Sequence, residues 1–522
     1  MSGDQESFAA AWAQLPENLG WHVLLSLTAI ALGVAISLPL AIFSARTPYL
    51  RRPALAFASI VQTIPGLAML ALFYPILLGL SAFTKARFGF GFPALGFLPA
   101  LAALTLYSML PVLRNTITGL AGLDRAILLA ARAVGMTRSQ SLLSVELPLA
   151  APVILAGIRT AAVWVIGTAT LSTPVGQTSL GNYIFTGLQT ENWIFVLFGC
   201  VAAALLALAV DRLLGLAEDG LARRSGVRLA ASALGLSLIV VASIYPLSHA
   251  AEKASIVVGT KSFDEQYILG SLIERRLKNA GFATTRRDGL GSTVIFDALS
   301  HNDIDVYVDY SGTIWFDDMK RRDLPGRSEL LKQMARWLKN EKQIGFAGAL
   351  GFENAYAFAM TSEKAKALHI RTLSDLASYA PRMKIGGDFE IFSRPEWRSV
   401  ARAYGLSFSI ERQYQPTFMY RALLSGDVDV ITAFSSDGRI AQYGLTLLGD
   451  PRGALPPYDA VLLVSPAHAA DQRVLRALKP LDDAISLNVM QHANLEVDRD
   501  RDKRSPDEVA SELDAMIASD RR

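Results

Sequence analysis

Residues 223–250 read "RRSGVRLAASALGLSLIVVASIYPLSHA": arginines, an uncharged apolar run, then small and polar residues. At the start of a chain this order would read as a secretion signal. Here more than two hundred residues precede it. Placed in mid-chain, such a segment predicts a membrane crossing that delivers everything after about Ala250 to the side away from the arginines.

Composition agrees, because 51% of the 522 residues are hydrophobic and only 19% are charged, too apolar for one soluble protein. The long uncharged runs lie almost entirely before Pro246, whereas residues 251–522 alternate charges, glycines and short apolar strands. Two halves in two solvents are expected.

A membrane helix needs roughly 20 mostly apolar residues to cross a core of about 30 Å. The first half supplies Val23–Ala45, Pro53–Thr84, Phe88–Leu113, Thr160–Thr190, Trp193–Val210 and Leu229–His249. The fourth helix is expected to begin earlier, near Leu147, and to carry Arg159. That arginine either faces a protein interior or aqueous path, or snorkels to the membrane edge. Arg46, Arg51 and Arg52 follow the first run, Arg125, Arg132 and Arg138 the third, and Arg212, Arg223, Arg224 and Arg228 the fifth. By the positive-inside rule these loops are cytoplasmic, the N-terminus is outside and the sixth helix runs outward. Lys85 and Arg87 are a minor exception. An uncut tether is favoured over cleavage near Ser248–His249–Ala250, because Pro246 and Leu247 crowd that site.

The single cysteine, Cys200, lies in an apolar run, so no disulfide framework is possible. The six histidines show no metal-ligand spacing, and neither a metal nor a nucleic-acid partner is expected. "LDRAILLAARAVGMTRSQSLLSVELPLAAPVI" (123–154) predicts a short helix, a glycine break, a second amphipathic helix and a proline entering the membrane. Ile127, Leu128 and Ala131 could form an apolar knob beside Arg125 and Arg132.

This loop resembles that of the inner-membrane permease subunits of ABC importers, with Ala130, Ala131, Gly135, Val145, Leu147 and Pro148 in the family's pattern. Leu129 stands where the family has glutamate, which removes one acidic contact with the ATPase. The resemblance extends through "VQTIPGLAMLALFYPILLG", "YSMLPVLRNTITGL" and "STPVGQTSLGNYIFTGLQ". It implies that Leu129, Ala130, Ala131, Gly135, Leu147 and Pro148 form a handle gripped by a cytoplasmic ATPase. The chain has no G-x-x-x-x-G-K-[ST] loop, so ATP and magnesium are expected on that separate subunit and no cofactor in this chain.

The second half opens with a β-branched strand, a turn and a helix from about Asp264, and strand-turn-helix units recur, as in "MKIGGDFE" and "VDVITAF". An α/β fold of two lobes follows, with ligand expected where strand ends meet helix starts. The organisation read is a permease over 1–222, the sixth helix and linker over 223–253, and a binding domain over 254–522. "GLGSTVIFDAL" (289–299), "DVYVDYSGTIWF" (305–316), "GFENAYAF" (351–358), "GDFEIFSRPEW" (387–397), "ITAFSSDGRI" (431–440) and "LPPYDAVLLV" (455–464) carry recurring aromatics at such turns.

As a set these segments resemble the substrate-binding proteins of osmoprotectant importers and the related ergothioneine importers. The resemblance implies an aromatic cage of Tyr310, Tyr356, Phe434 and Tyr458. Such a cage suits a quaternary ammonium, which donates no hydrogen bond and is held by π faces. Arg394 would take a carboxylate, with Thr293, Asn354, Gln266 and Asp437 completing the set, although Arg394 could instead pair with Glu390 or Glu396. Asp309, Asp317 and Asp318 read as ordinary turn and helix charges. The function implied is an ATP-driven importer of glycine betaine, choline or carnitine, with ergothioneine or another betaine-like derivative as the alternative. A membrane-tethered sensor or a periplasmic enzyme explains less, having neither an output domain nor a nucleophile-base pair. Two chains, each a permease fused to its receptor, are expected to assemble with two ATPase subunits in a bacterial inner membrane, the receptors outside.

Overall fold

A computed structural model of the chain describes residues 3–92, 94–189, 192–250, 255–323, 325–388, 391–499 and 502–520. The chain forms a largely helical unit and a mixed unit, the second built mainly from residues 254–522.

The helical unit contains α1 (Gly3–Arg46), α2 (Pro48–Thr63), α3 (Gly66–Phe88), α4 (Phe97–Ala121), α5 (Arg125–Ala133), α6 (Arg138–Ser141), α7 (Leu147–Ala169), α8 (Gly181–Gln189), α9 (Trp193–Ala222) and α10 (Gly226–Ala250). Among the described residues six helices are long and apolar enough to cross a membrane: α1, α3, α4, the stretch through α7, α9 and α10. The number agrees with the six runs; their limits do not. The run Pro53–Thr84 breaks at Ile64–Pro65, where Ile64 is extended, Pro65 precedes α3 and Tyr107 of α4 donates its hydroxyl to the Ile64 carbonyl. A proline has no N–H to continue a helix. The run Thr160–Thr190 likewise ends as membrane helix at Ala169, passes through a 3-10 turn over Thr170–Val175 and resumes as the short α8. Arg159 of α7 lies half-exposed and holds Asp211 through both oxygens at 2.6 and 2.9 Å and Glu218 at 3.3 Å, both on α9. α10 continues through the proposed cleavage site, with residues 251–254 outside the described set.

The loop after α4 has the order read from its sequence. Asp124 caps α5 by accepting from the Ala126 amide at 2.8 Å, and Thr137 and Gln140 cap α6 reciprocally. Gly135 sits between them at φ +82°, a conformation glycine adopts without strain. Leu142–Glu146 forms a π turn and Pro148 stands in the first turn of α7, where its missing N–H costs nothing. The knob differs in detail: Ala131 is buried, while Ile127, Leu129 and Val134 are exposed, Leu129 at 63%.

The mixed unit holds two five-stranded sheets. One has order β2-β1-β3-β10-β4, from β1 (Ile256–Lys261), β2 (Thr284–Leu290), β3 (Val306–Tyr310), β4 (Gly345–Glu353) and β10 (Asp459–Val464). The other has order β7-β6-β8-β5-β9, from β5 (Tyr356–Thr361), β6 (Lys384–Gly387), β7 (Ile410–Gln413), β8 (Val430–Phe434) and β9 (Leu445–Leu448). β1 runs parallel to β2 and β3, as β-α-β connections require, and β10 returns antiparallel to β3 and β4. Against β1 packs α11 (Asp264–Asn279), which buries Ile268, Leu269, Leu272 and Leu277. The chain passes between the sheets twice, at 354–355 and at 449–458. Asn354, Tyr356 and Tyr458 therefore sit at the crossings between lobes.

Candidate ligand site

Tyr310 ends β3, Tyr356 begins β5, Phe434 ends β8 and Tyr458 immediately precedes β10. Each is thus an aromatic at a strand end. Strand register brings them together: Tyr356 pairs with Phe434, and Ala460 with Tyr310. The Tyr356 ring lies 5.0 Å from that of Phe434 and 5.7 Å, edge to face, from that of Tyr458. Gly312 is the floor beneath Tyr458, since a Cβ there would stand 2.6 Å from the ring. Tyr310 joins through hydrogen bonds: its hydroxyl donates to Glu265 at 2.5 Å, Asn354 Nδ2 donates to the same carboxylate at 3.1 Å, and the Asn354 amide donates to the Tyr458 carbonyl.

Glu265 was not singled out in the sequence, yet it is 2% exposed and central. Its second oxygen accepts from Asn494 at 3.0 Å. Burial pushes its carboxyl up, and the donors around it, Ser436, Tyr310, Asn494 and Asn354 among them, pull the other way. The remaining two cage tyrosines have the same kind of partner. The Tyr356 hydroxyl donates to Asp388 at 3.2 Å, and the Tyr458 hydroxyl donates to Glu396. Burial and the Glu265 charge raise the Tyr310 hydroxyl far above its ordinary range; burial and Glu396 do so for Tyr458. Both remain donors at any physiological pH.

Gln266 braces Tyr310, donating to its hydroxyl and to the Val308 carbonyl, both at 3.0 Å, and accepting from the Lys261 amide. Arg394 is buried and is held by Asp317 at 2.9 Å and Glu396 at 3.5 Å, with its guanidinium 5.9 Å from the Tyr356 ring centre. The pairing with Glu396 that the sequence allowed is present, and Glu390 lies outside the described residues. Asp437 has both its oxygens held by Arg439 at 3.0 Å, in a buried cluster with Asp498. The Thr293 side chain lies outside the described residues. Asp309, read as an ordinary charge, is fully buried and salt-bridged to Lys261 at 2.5 Å, a pairing that a buried charge demands. Its charge and, more strongly, desolvation push Asp318 up to about 8.

Residues 254–514 match the family described as the substrate binding domain of ABC-type glycine betaine transport systems, and residues 37–223 match the binding-protein-dependent transport system inner membrane component. The chain belongs to this ABC importer family, with the permease and the substrate-binding domain fused. It is 28% identical over 88% of its length to the ergothioneine transport permease/ergothioneine binding protein EgtU of Helicobacter pylori, 82% of which is covered. Over 38% of its length it is 39% identical to a choline transport system permease protein of Bacillus subtilis, covering 83% of that protein. A crystal structure titled as a glycine betaine/carnitine/choline ABC transporter aligns with 50% of the chain and 97% of its own at 28% identity and a TM-score of 0.44. Membership implies a partner ATPase, a small-molecule solute and a multi-pass place in the membrane.

Proposed function

We propose that the chain imports solutes carrying a quaternary ammonium group, of the glycine betaine, choline and carnitine class. The observation that carries this reading is the convergence of Tyr356, Phe434 and Tyr458 from three separate segments, with Tyr310 linked to them through Glu265 and Asn354. Aromatic faces bind a cation that has no proton to donate, each contributing up to about 2 kcal/mol when water is excluded. Arg394 is already held by Asp317 and Glu396, which favours a reading in which the head group rather than the carboxylate dominates recognition. Ergothioneine, itself a betaine, is the second reading, favoured because the Helicobacter pylori relative aligns across both halves of the chain.

In this scheme the receptor half faces outside, its two lobes close on solute, and a cytoplasmic ATPase pulls on Ile127, Leu129 and the α5–α6 loop. Two copies of the chain and two ATPases make the transporter. Titration of the purified full chain with glycine betaine, choline, carnitine, proline betaine, ergothioneine and ordinary amino acids tests the reading. Changing Tyr356 or Tyr458 to Ala is expected to weaken the preferred quaternary ligand by about 0.5–2 kcal/mol, roughly two- to thirty-fold. Tight binding of a primary amino acid with no response to any quaternary ammonium would sink it.

A further inference from the structure

In the helical unit two side-chain clamps tie α1 to α7. At one end Arg46, the last residue of α1, donates to both oxygens of Glu146, at 3.0 and 3.1 Å, and Glu146 immediately precedes α7. Ser141 of α6 donates to the same carboxylate at 3.0 Å. At the other end His22 of α1 meets the Ile166 carbonyl of α7 at 3.1 Å. The Leu180 amide donates to His22 Nδ1 at 3.4 Å, which leaves Nε2 to carry the proton given to Ile166. The order of these contacts makes α1 and α7 an antiparallel pair, pinned at two levels.

An acid just before a helix ordinarily caps it, as Asp124 does for α5, yet the Glu146 side chain makes no cap bond to α7. It turns to α1 instead. Glu146 also closes the π turn Leu142–Glu146, a kind of insertion in a helix that recurs at functional positions. Through that turn α6 and α7 form one unbroken helical stretch, so a displacement of the α5–α6 loop reaches α7 along the backbone. α1 has no such continuity with the loop, since α2, α3 and α4 intervene in sequence. The ion pair supplies a direct link. With Arg46 at 41% exposure and Glu146 at 16%, it adds little to stability, which leaves transmitted movement as the property it can govern.

We propose that Arg46 and Glu146 are positioning residues for transport: they fasten α1 to the α5–α6 loop, so that α1 and α7 move as one antiparallel lever when that loop is displaced, with His22 holding the pair at its other end. This rests on the reading above that the ATPase acts on the α5–α6 loop. It adds which second membrane helix receives the movement, and through which atoms.

The test uses the full chain with its ATPase subunit in proteoliposomes. ATP hydrolysis, solute binding and uptake are measured with whichever of the solutes titrated above the unaltered complex imports fastest. Arg46→Gln and Glu146→Gln each remove one charge. The exchanged pair, Arg46→Glu with Glu146→Arg, restores the attraction in reverse. Each single variant is expected to lower uptake at least fivefold while hydrolysis and solute binding stay within twofold, and the exchange to return uptake to at least half that of the unaltered complex. Rescue by exchange, with hydrolysis separated from uptake, is a signature that simple packing would not give. A smaller loss in the single variants, or an exchanged pair that stays below half, overturns the proposal. So does hydrolysis falling in step with uptake, which would put the pair at the ATPase contact, or solute binding lost with uptake, which would make it a folding element. Failure of the reading beneath shows separately: Leu129→Arg, on the exposed side of α5, would then leave hydrolysis and uptake unaltered whatever the variants at 46 and 146 do.

Discussion

Arg159 in the membrane half and Arg394 in the binding half each hold two carboxylates among the described residues, and the two sites differ chiefly in how far they are buried within the protein. The Arg159 side chain is 36% exposed and its partners Asp211 and Glu218 are 25% and 31% exposed. Arg394 is 9% exposed and Glu396 is wholly buried, although Asp317 on its other side keeps 37% of its surface. An ion pair that retains water adds little net stability, because solvent screens it and would solvate the partners alone nearly as well. A buried pair behaves asymmetrically: it need not stabilise, yet removing one member strands the other. Similar chemistry is therefore a trim in one half and a structural requirement in the other.

The largest effect is expected where that contrast is sharpest. Arg394→Ala should cost about 3 kcal/mol of local stability, chiefly from Glu396 left uncompensated. Since Glu396 also holds Tyr458, binding should fall for choline and betaine alike. This departs from the simple expectation that losing Arg394 harms carboxylated ligands and spares choline. Arg159→Met should cost about 1 kcal/mol or less. Hydrogen exchange on the full chain reads both, in the helix Pro395–Tyr404 and in α9. Equal costs would mean that Arg159 lies in a dry interior after all, and the comparison would fail.

The difference between the halves also explains what could be read from sequence. In the membrane half the signal is absence of charge, which finds the number of crossings but not their ends. α1 therefore begins at Gly3 although the apolar run begins near Val23, and Pro65 splits a run that contains no charge. In the binding half, aromatics at strand ends stood out, and Tyr356, Phe434 and Tyr458 do meet. The acids behind them did not stand out for a definite reason. Glu265 and Glu396 lie in first turns of helices, where an acidic residue is ordinary because it complements the helix dipole. Nothing in sequence separates a first-turn glutamate facing water from one turned inward onto a tyrosine. Asp437, read into the ligand set, has both its oxygens held by Arg439 two residues on.

A partly buried acid sharpens the same contrast through pH. Asp318 is pushed up to about 8 by desolvation first and the Asp309 charge second. Its native form holds a proton that the unfolded chain, with an ordinary carboxyl near 3.8, releases. The native state thus binds more protons between those values, and stability must fall as pH rises through that window. The stabilisation is complete below about 4 and lost by about 8. Because Asp318 keeps partial access to solvent, the loss should be on the order of 1–2 kcal/mol. Asp318→Asn should flatten the slope of denaturation midpoint against pH between 5 and 8; an unchanged slope would assign it to another group.

The smallest effect on stability, and the most specific on transport, is expected at Gly135. Nothing lies within 4 Å of where its Cβ would be, so bulk alone is harmless there. What constrains the position is φ +82°, which lets α5 turn into α6 and presents Leu129 outward. Valine, branched at Cβ, is strained in that region, whereas asparagine tolerates it among non-glycine residues. Gly135→Val should cost about 1–2 kcal/mol locally, enough to shift the loop, and should abolish solute uptake in proteoliposomes while leaving solute binding unchanged. Gly135→Asn should transport nearly normally. A Val variant that also loses binding would reveal a general folding defect. Equal failure of the Asn variant would show that side-chain size matters there, as it would if a partner subunit closes over the loop.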